Sequence, residues 1–322
     1  MALPEAFSSL RLPVVAAPMF LVSGPDLVVS SCTSGVVGTF PALNQRTTEG
    51  FAQWLDEIEE RLDAHNAAHP DAPAAPYGVN LIAHRSNPRL QADLEVCVEK
   101  EVPLIITSLG AAKDIVDAVH SYGGVIFHDV TNRYHAKKAI DAGVDGIILV
   151  CGGAGGHAGS LNPFALINDI RPHYDGTILL AGSINTGSDV LAAQAMGADL
   201  AYMGTRFIAT EESDAQQEYK EMLVNVGPED ILYTPAISGI PANFMKTSLL
   251  ENGYDLRQLD SIDVDTSNIG EKLTSDEEAR AWKTVWSAGH GVSGIRDIPR
   301  TADLVDRLEQ EHRAARKRLA LD

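Results

Sequence analysis

The chain has 322 residues, of which 45% are hydrophobic and 21% charged, so it is long enough to bury a large core. The chain contains 25 lysines and arginines and 44 aspartates and glutamates, which gives a formal net charge of −19. This charge opposes binding to nucleic-acid phosphates and to anionic lipid, so we expect neither nucleic acid nor a membrane surface as a partner.

No segment reaches the roughly 18 uncharged apolar residues of a membrane-spanning helix. The first residues, MALPEAFSSLRLP, also lack the basic and then apolar pattern of a signal peptide, so we expect a cytoplasmic protein. The three cysteines are Cys32, Cys97 and Cys151. Their odd number and their spacing fit neither a disulfide framework nor a zinc site, so we expect reduced thiols and no bound metal.

Short apolar runs rich in β-branched residues recur along the chain, and each is followed by a segment with helix signals. Thr47-Thr48-Glu49 precede the amphipathic run 50–67, and Asn162-Pro163 open the run 164–170. Eight strand–helix units in about 210 residues predict a (β/α)8 TIM barrel, with a doubly wound open sheet as the alternative. The predicted strands are residues 13–17, 35–39, 77–82, 104–108, 125–130, 146–150, 177–181 and 200–203.

The strand–helix pattern stops after Arg206. Residues 213–281 are rich in Glu, Asp, Asn and Gln and are predicted to form a helical insertion, which would lie as a lid over the mouth of the barrel. The barrel would then comprise residues 1–212 and 282–322. The amphipathic segment 300–321 is predicted to be its last outer helix.

Two glycine-containing segments follow the seventh and eighth predicted strands, LLAGSINTG (179–187) and AYMGTRF (201–207). In a barrel these strand ends are neighbours, and small residues there allow backbone N–H groups to converge on a phosphate. Ordinary glycine-rich turns are the alternative for either segment alone. The candidate phosphate-binding residues are Gly182, Ser183, Gly204 and Thr205.

Other strand ends carry groups that would line the same mouth: Pro18 and Met19 after the first strand, Asn80 in the third, and His128 and Asp129 in the fifth. An asparagine amide both donates and accepts hydrogen bonds, which suits the edge of a heterocycle. Each residue also has a purely structural interpretation. Met19 would fill the core, and His128 would be a neutral core histidine bonded to the backbone.

The segment CGGAGGHAGS (151–160) follows the sixth predicted strand on the same face. Its glycines, Gly155 and Gly156 among them, permit close approach of the backbone to a flat ligand. The loop would then present one imidazole, His157, as a general base or hydrogen-bonding group. An incidental histidine on a flexible loop is the alternative, and Cys151 is either a nucleophile or a small buried hydrophobe.

Five motifs in this order resemble the nitronate monooxygenase family, formerly called 2-nitropropane dioxygenases. They are APM (17–19), GVN (78–80), AGGHAG (154–159), MGTRF (203–207) and WSAGHGV (286–292), and the resemblance runs from about residue 10 to residue 300. It implies an FMN-dependent barrel with His157 beside the flavin. The residues it implies for binding of the flavin and its phosphate are Met19, Asn80, Gly182, Ser183, Gly204 and Thr205. The further candidates for FMN binding, from their positions at the mouth, are Pro18, His128, Gly155 and Gly156.

FMN-containing enoyl-ACP reductases and NAD(P)H:quinone reductases share these motifs, so the resemblance does not decide the reaction. This chain also departs from the family pattern at three places. Gly153 stands where several relatives carry a glutamate, Asp129 where some carry a lysine, and Ser183-Ile184 where a second glycine is usual. An ionised Asp129 near the flavin would disfavour the reduced, anionic flavin.

The resemblance favours oxidation of an alkyl nitronate, such as propionate 3-nitronate, by FMN and O₂ to a carbonyl compound and nitrite or nitrate. The alternative is a reductase in which NAD(P)H reduces FMN and a quinone or an enoyl thioester accepts the hydride. A non-catalytic flavin-binding protein is a third possibility, against which the intact His157 loop argues. The sequence leaves open whether the chain is a monomer or a homodimer.

Overall fold

Eight parallel strands close into a barrel in the computed structural model, which describes residues 3–110, 112–237, 239–259 and 284–319. The order is β1-β2-β3-β4-β5-β6-β8-β9, and β9 pairs with β1, so the barrel prediction is confirmed over the open sheet. All eight predicted strands are present. They are β1 (Val14–Ala16), β2 (Val37–Pro41), β3 (Tyr77–Ile82), β4 (Leu104–Ser108), β5 (Val125–Val130), β6 (Gly146–Val150), β8 (Thr177–Ala181) and β9 (Leu200–Met203), with β7 (Gly156–His157) in the loop after β6.

Helices follow the strands and surround the barrel. Thr47 and Asn162 accept backbone N–H bonds as N-caps, which explains why α2 and α6 begin where the sequence predicts. The helices are α1 (Pro25–Thr33), α2 (Thr48–Ala68), α3 (Leu90–Glu99), α4 (Lys113–His120), α5 (Arg133–Ala142), α6 (Pro163–Ile170), α7 (Gly187–Ala195), α8 (Thr205–Ile208), α9 (Gln217–Asn225), α10 (Lys246–Glu251), α11 (Leu256–Leu259) and α12 (Thr301–Arg318).

Strand residues alternate between two buried layers, as the period of two requires. Outward residues such as Ile105, Ile126 and Ile147 pack under the helices, whereas inward residues fill the barrel. The inward layer is apolar through most of its depth and includes Val15, Val37, Leu104, Ile106, Phe127, Ile148, Leu179 and Leu200. Towards the carboxyl ends of β3, β4, β5 and β9, the inward positions become polar: Asn80, Ser108, Asp129 and Tyr202.

Helix α12 packs against α7 and α1, so the predicted last helix of the barrel is confirmed. A charged network also fastens this end of the chain. Arg206, buried at the start of α8, donates to the Ala209 carbonyl at 3.3 Å and to Asp297 Oδ1 at 3.1 Å. Arg307 of α12 binds the same Asp297 carboxylate at 2.6 Å and lowers the pKa of Asp297. Arg206 of the MGTRF motif therefore has a structural role.

The insertion after α8 is not purely helical, which corrects the sequence prediction. β10 (Ile231–Thr234) and β11 (Ala242–Met245) pair antiparallel, and β11 pairs in turn with β7 of the barrel loop. These strands have only four residues each within a polar segment, so their periodicity was too short to be recognised. Residues 260–281 of the predicted insertion lie outside the described residues.

The insertion shares a core with the barrel mouth. Tyr219 of α9 stacks on Trp286 at a ring distance of 5.1 Å and packs in one cluster with Val22 and Ile208 from the barrel. The division of the chain at residue 213 into a barrel and a lid therefore stays a proposal about substrate access, and the shared core argues against independent folding of the insertion. In the ranges that the structure describes, no helix is long and apolar enough to cross a membrane.

Candidate active site

The loops after β6, β8 and β9 meet at the carboxyl end of the barrel. A side chain added at Gly182 would lie 3.1 Å from the Gly152 carbonyl oxygen, and one added at Gly155 would lie 3.0 Å from Thr205 Oγ1. The Sδ atom of Met19, in the loop after β1, lies 3.6 Å from the position that a Cβ atom at Gly204 would occupy. The structure thus brings together most of the residues that the sequence assigned to phosphate binding.

The turns after β8 and β9 present hydrogen-bond donors at this meeting point. Gly182 and Ser183 have positive φ values of 123° and 61°, an unusual conformation for serine that turns successive peptide groups sharply. Thr205 is in the first turn of α8, where backbone N–H groups have no helical partner. Its Oγ1 accepts the Gly289 N–H at 2.9 Å, so its hydroxyl hydrogen remains available to a ligand. These groups form what we call the anion cradle: Gly182, Ser183, Gly204 and Thr205.

Two glycines of the loop after β6 serve packing within the protein. A Cβ at Gly153 would lie 2.4 Å from Ser183 Oγ and 3.0 Å from His290 Nδ1, and a Cβ at Gly155 would lie 3.0 Å from the Gly289 nitrogen. The backbone of this loop therefore lies directly against the backbone of residues 289–290. Gly156 differs, because it has a φ of 66° and nothing within 4 Å of its Cβ position. The expectation that the glycines approach a ligand fits Gly156 best.

His157 is held by the insertion. It occupies β7, where it pairs with Ala242 of β11. On one side of it, the buried Asn243 donates from Nδ2 to the Ala154 carbonyl at 2.6 Å. On the other side, Ala158 donates its N–H to the Pro241 carbonyl at 3.2 Å. The imidazole therefore sits on a short, hydrogen-bonded strand rather than on a flexible loop.

The environment of His157 keeps the imidazole neutral. The residue is partly exposed, but its Nε2 is shielded from solvent. Burial lowers the pKa of His157 to about 4, because a charged imidazolium loses its hydration there. At neutral pH the ring can therefore both accept a proton or hydrogen bond and donate one.

Three inward side chains on adjacent strands form a hydrogen-bonded chain below the mouth. Asn80 Nδ2 donates to the Ile106 carbonyl at 3.2 Å and to Ser108 Oγ at 2.8 Å, and Ser108 Oγ donates to Asp129 Oδ2 at 2.6 Å. Because a carbonyl only accepts, the Ile106 contact determines the orientation of the Asn80 amide. Both amide hydrogens are used internally, so Asn80 offers a ligand only its Oδ1 acceptor.

Asp129 is the last member of this series of hydrogen bonds, and only the Ser108 hydrogen bond is seen to stabilise its negative charge in the described residues. Burial raises its pKa to about 6, against a lowering effect of the Ser108 hydrogen bond. Burial and the nearby Asp129 in turn raise the pKa of Tyr202 well above its usual value. The inner end of the site therefore holds an acid that titrates close to neutral pH.

His128 lies apart from these inward groups. Strand alternation places it with Ile126 and Val130, which pack in the outer layer. Its Nδ1 is 2.8 Å from Thr107 Oγ1, and burial together with His135 lowers its pKa to about 4. This geometry is that of a neutral core histidine, the structural alternative. Pro18, in contrast, is partly exposed beside Met19 at the mouth.

Cys151 has the environment of an inert thiol. It is buried, its Sγ donates to the Leu149 carbonyl at 3.3 Å, and burial raises its pKa to about 12. All three cysteines are free. No cluster of three or more histidine, cysteine or acidic side chains suited to a metal ion occurs among the residues that the structure covers.

Sequence reasoning missed Ser108, Asn243 and His290. Ser108 had a usable signal, because it ends a predicted strand and belongs to the same inward-facing set as Asn80 and Asp129 on the neighbouring strands. Asn243 had none, because the polar composition of its segment predicts a helix. His290 lies in a recognised motif, but its proximity to Gly153 depends on a crossing of segments distant in sequence.

Comparison with known proteins identifies a flavin-dependent oxidoreductase built on a TIM barrel that acts on small molecules. The nitronate monooxygenase family model matches residues 3–311, and the chain belongs to this family. A nitronate monooxygenase of Paraburkholderia phytofirmans is 27% identical over 338 residues, covering 93% of this chain and 92% of the relative. A hydroxy-methyl-oxo-octahydro-indene-carboxyl-CoA dehydrogenase of Rhodococcus jostii is 27% identical over 250 residues, covering 77% and 67%.

Solved structures share the fold over nearly the whole chain. Nitroalkane oxidase from Streptomyces ansochromogenes superposes with a TM-score of 0.81 at 22% identity, covering 98% of this chain and 100% of the other. FabK from Thermotoga maritima superposes with a TM-score of 0.79, also at 22% identity, covering 98% and 97%. At 22% sequence identity, these superpositions show that the fold is shared.

Gly204 offers a clean test of the anion cradle. Its φ is −101° and the protein atoms nearest to an added Cβ are 3.6 Å away, so Gly204→Ala fits the protein without strain. We expect the free energy of unfolding without ligand to change by less than about 1 kcal/mol. FMN affinity, measured by flavin fluorescence quenching, should fall about tenfold or more, and further in Gly204→Val. Unchanged affinity in both variants would place the phosphate elsewhere.

Proposed function

We propose that this protein is an FMN-dependent nitronate monooxygenase that oxidises alkyl nitronates, such as propionate 3-nitronate, with O₂ to a carbonyl compound and nitrite or nitrate. The observation that carries the proposal is His157, a neutral imidazole with a shielded Nε2 on a strand fastened to the insertion. The family of the chain supports the same activity. We propose His157 as the catalytic residue.

The residues at the mouth fit FMN. The anion cradle would take the phosphate, and the acceptor Oδ1 of Asn80 would take an N–H at the edge of the ring. Gly156 leaves open space on one side of this region, and Pro18 and Met19 border it on another. A bound flavin would supply the electron acceptance that no side chain provides.

The state of His157 suits an anionic substrate. A nitronate is already deprotonated, so it needs no base and can be oriented by a hydrogen bond from the imidazole. An anion entering a shielded site favours the protonated form of a neighbouring histidine, so binding would raise the pKa of His157. A base with a pKa of about 4 is weak, which favours the preformed nitronate over the neutral nitroalkane as substrate.

One comparison favours a second candidate. The Rhodococcus jostii relative is named as a dehydrogenase of a CoA thioester, and FabK shares the fold. A reductase that uses NAD(P)H to reduce FMN, with a quinone or enoyl thioester as acceptor, is therefore the alternative. It would use the same anion cradle and His157, with a different ligand over the flavin.

Anaerobic spectroscopy separates the two functions. Purified protein with FMN is mixed without O₂ with propionate 3-nitronate, NADH or NADPH in separate cuvettes, and the flavin absorbance is followed. Loss of the flavin band with nitronate alone, and its recovery with O₂ together with nitrite or nitrate, supports the proposal. Rapid loss of the band with NADH or NADPH, and none with nitronate, would contradict it and favour the reductase.

His157→Asn should retain FMN and the β7–β11 pairing, which uses backbone atoms. With a neutral nitroalkane we expect kcat/KM to fall about 10²-fold or more, and with a nitronate by less, because only orientation is lost. The exposed His173→Asn is the matched control. Equal wild-type rates for His157→Asn on both substrate forms would contradict a catalytic role.

The pH profile follows from the pKa of His157. The sequence alone suggests an ionisation near the ordinary histidine value of about 6.5, whereas burial lowers this pKa to about 4. Neutral His157 is therefore present throughout the range above about pH 5, and is lost as the pH falls through about 4. kcat/KM for a neutral nitroalkane should show no His157 ionisation between about pH 6 and about pH 9.

A further inference from the structure

Asp129 is the one inward carboxylate of the polar layer, and the catalytic proposal does not use it. Its Oδ2 accepts from Ser108 at 2.6 Å, whereas its Oδ1 is buried and has no hydrogen-bond partner in the described ranges. A buried carboxylate oxygen without a partner is costly when it is charged. It becomes less costly when it carries a proton.

Within the described part of the chain, no positively charged group acts on Asp129. The polar groups associated with it are Ser108 on β4, Tyr202 on β9 and, through Ser108, Asn80 on β3. Its chain neighbour His128 points into the outer layer and is neutral. No lysine or arginine of the described residues pairs with it or shifts its pKa. Its protonation is therefore sensitive to any new negative charge at the mouth.

We propose that Asp129 takes up one proton from solvent when the flavin bound at the barrel mouth is reduced. The inference rests on the flavin of the proposed function but not on its nitronate substrate. In the experiment, a chemical reductant supplies two electrons to the flavin. The proton binds at Oδ1, and the carboxylate becomes a neutral carboxylic acid. This offsets the negative charge that would otherwise face the reduced flavin across a shielded site.

The geometry allows this proton uptake without disturbing the ring-binding group. Oδ2 can continue to accept from Ser108 while Oδ1 is protonated, so Ser108 still accepts from Asn80. The Asn80 amide then keeps its orientation, and its Oδ1 remains directed to a ligand. Asp129 would thus act on the charge of the site, not on the position of FMN.

The test measures the midpoint potential of the FMN-loaded protein between about pH 5 and about pH 9, from which the number of protons taken up per two electrons follows. Because the pKa of Asp129 is about 6, the carboxylate is ionised above this pH in the oxidised protein and can take up a proton there. Below about pH 5 it is protonated in both states, so it contributes nothing. Asp129→Asn lacks the group, and the exposed Asp117→Asn on α4 controls for net charge.

Above about pH 6 we expect wild type and Asp117→Asn to take up about one proton more per flavin than Asp129→Asn. We also compare the dissociation constant of oxidised FMN divided by that of reduced FMN. At about pH 8 this ratio should be higher in Asp129→Asn than in wild type, by about fivefold or more. The two proteins should converge at about pH 5. Equal proton numbers in wild type and Asp129→Asn would overturn the proposal.

Ser108→Ala provides a second route if Asp129→Asn does not retain FMN. Removing the hydrogen bond to the charged carboxylate should raise the pKa of Asp129, so the extra proton uptake should begin at higher pH than in wild type. An unchanged onset would overturn the proposal. Normal proton uptake in a protein that does not react with nitronate would instead overturn only the substrate of the proposed function.

Discussion

The pairing of β7 with β11 is the interaction on which the site depends. β7 contains only Gly156 and His157, and two residues in a glycine-rich loop cannot hold a fixed conformation alone, because each residue ordered costs about 1–2 kcal/mol. Backbone bonds to β11 and the Asn243 contact to Ala154 supply the missing restraint. The insertion thereby positions the imidazole.

This arrangement explains why the insertion and the barrel share a core. If the insertion moved as a separate body, His157 would move with β11 and lose its relation to the anion cradle. Packing of Tyr219 against Trp286 and of α9 against Ile208 opposes this motion, because the motion would expose their buried apolar surface. Trp286 leads directly into residues 288–290, which cross the loop after β6 at backbone distance. The geometry of the proposed site and the packing of the core are therefore coupled in this part of the chain.

The site also combines two ionisable groups with opposite perturbations. Burial lowers the pKa of His157 to about 4 and raises that of Asp129 to about 6. Both shifts favour the neutral form, which is the physical signature of a poorly hydrated site. Groups in such a site take up a proton more readily when a negative charge arrives, which suits chemistry on an anion and a redox cofactor.

Most of the barrel could be predicted from the sequence, because buried parallel strands are short apolar runs and their ends carry the residues of the mouth. For the same reason, the candidate residues of the anion cradle, such as Gly204 and Ser183, could be selected from their positions at strand ends. The sheet of the insertion could not be predicted, since β10 and β11 are short and their pairing joins distant segments. His128 shows a second limit. Alternate residues of a strand point into the barrel and towards the outer helices, and in strands that are buried on both sides the sequence does not tell which set points inward.

The most direct measurement for the whole account is the flavin stoichiometry of the purified protein. The protein is titrated with FMN, freed of excess ligand by gel filtration, and denatured, and the released flavin is quantified against protein. The account predicts one FMN per chain, bound noncovalently and released on unfolding, because the proposed site has one anion cradle for the phosphate and one amide, that of Asn80, for the ring. A folded protein that remains colourless after incubation with excess FMN would contradict it.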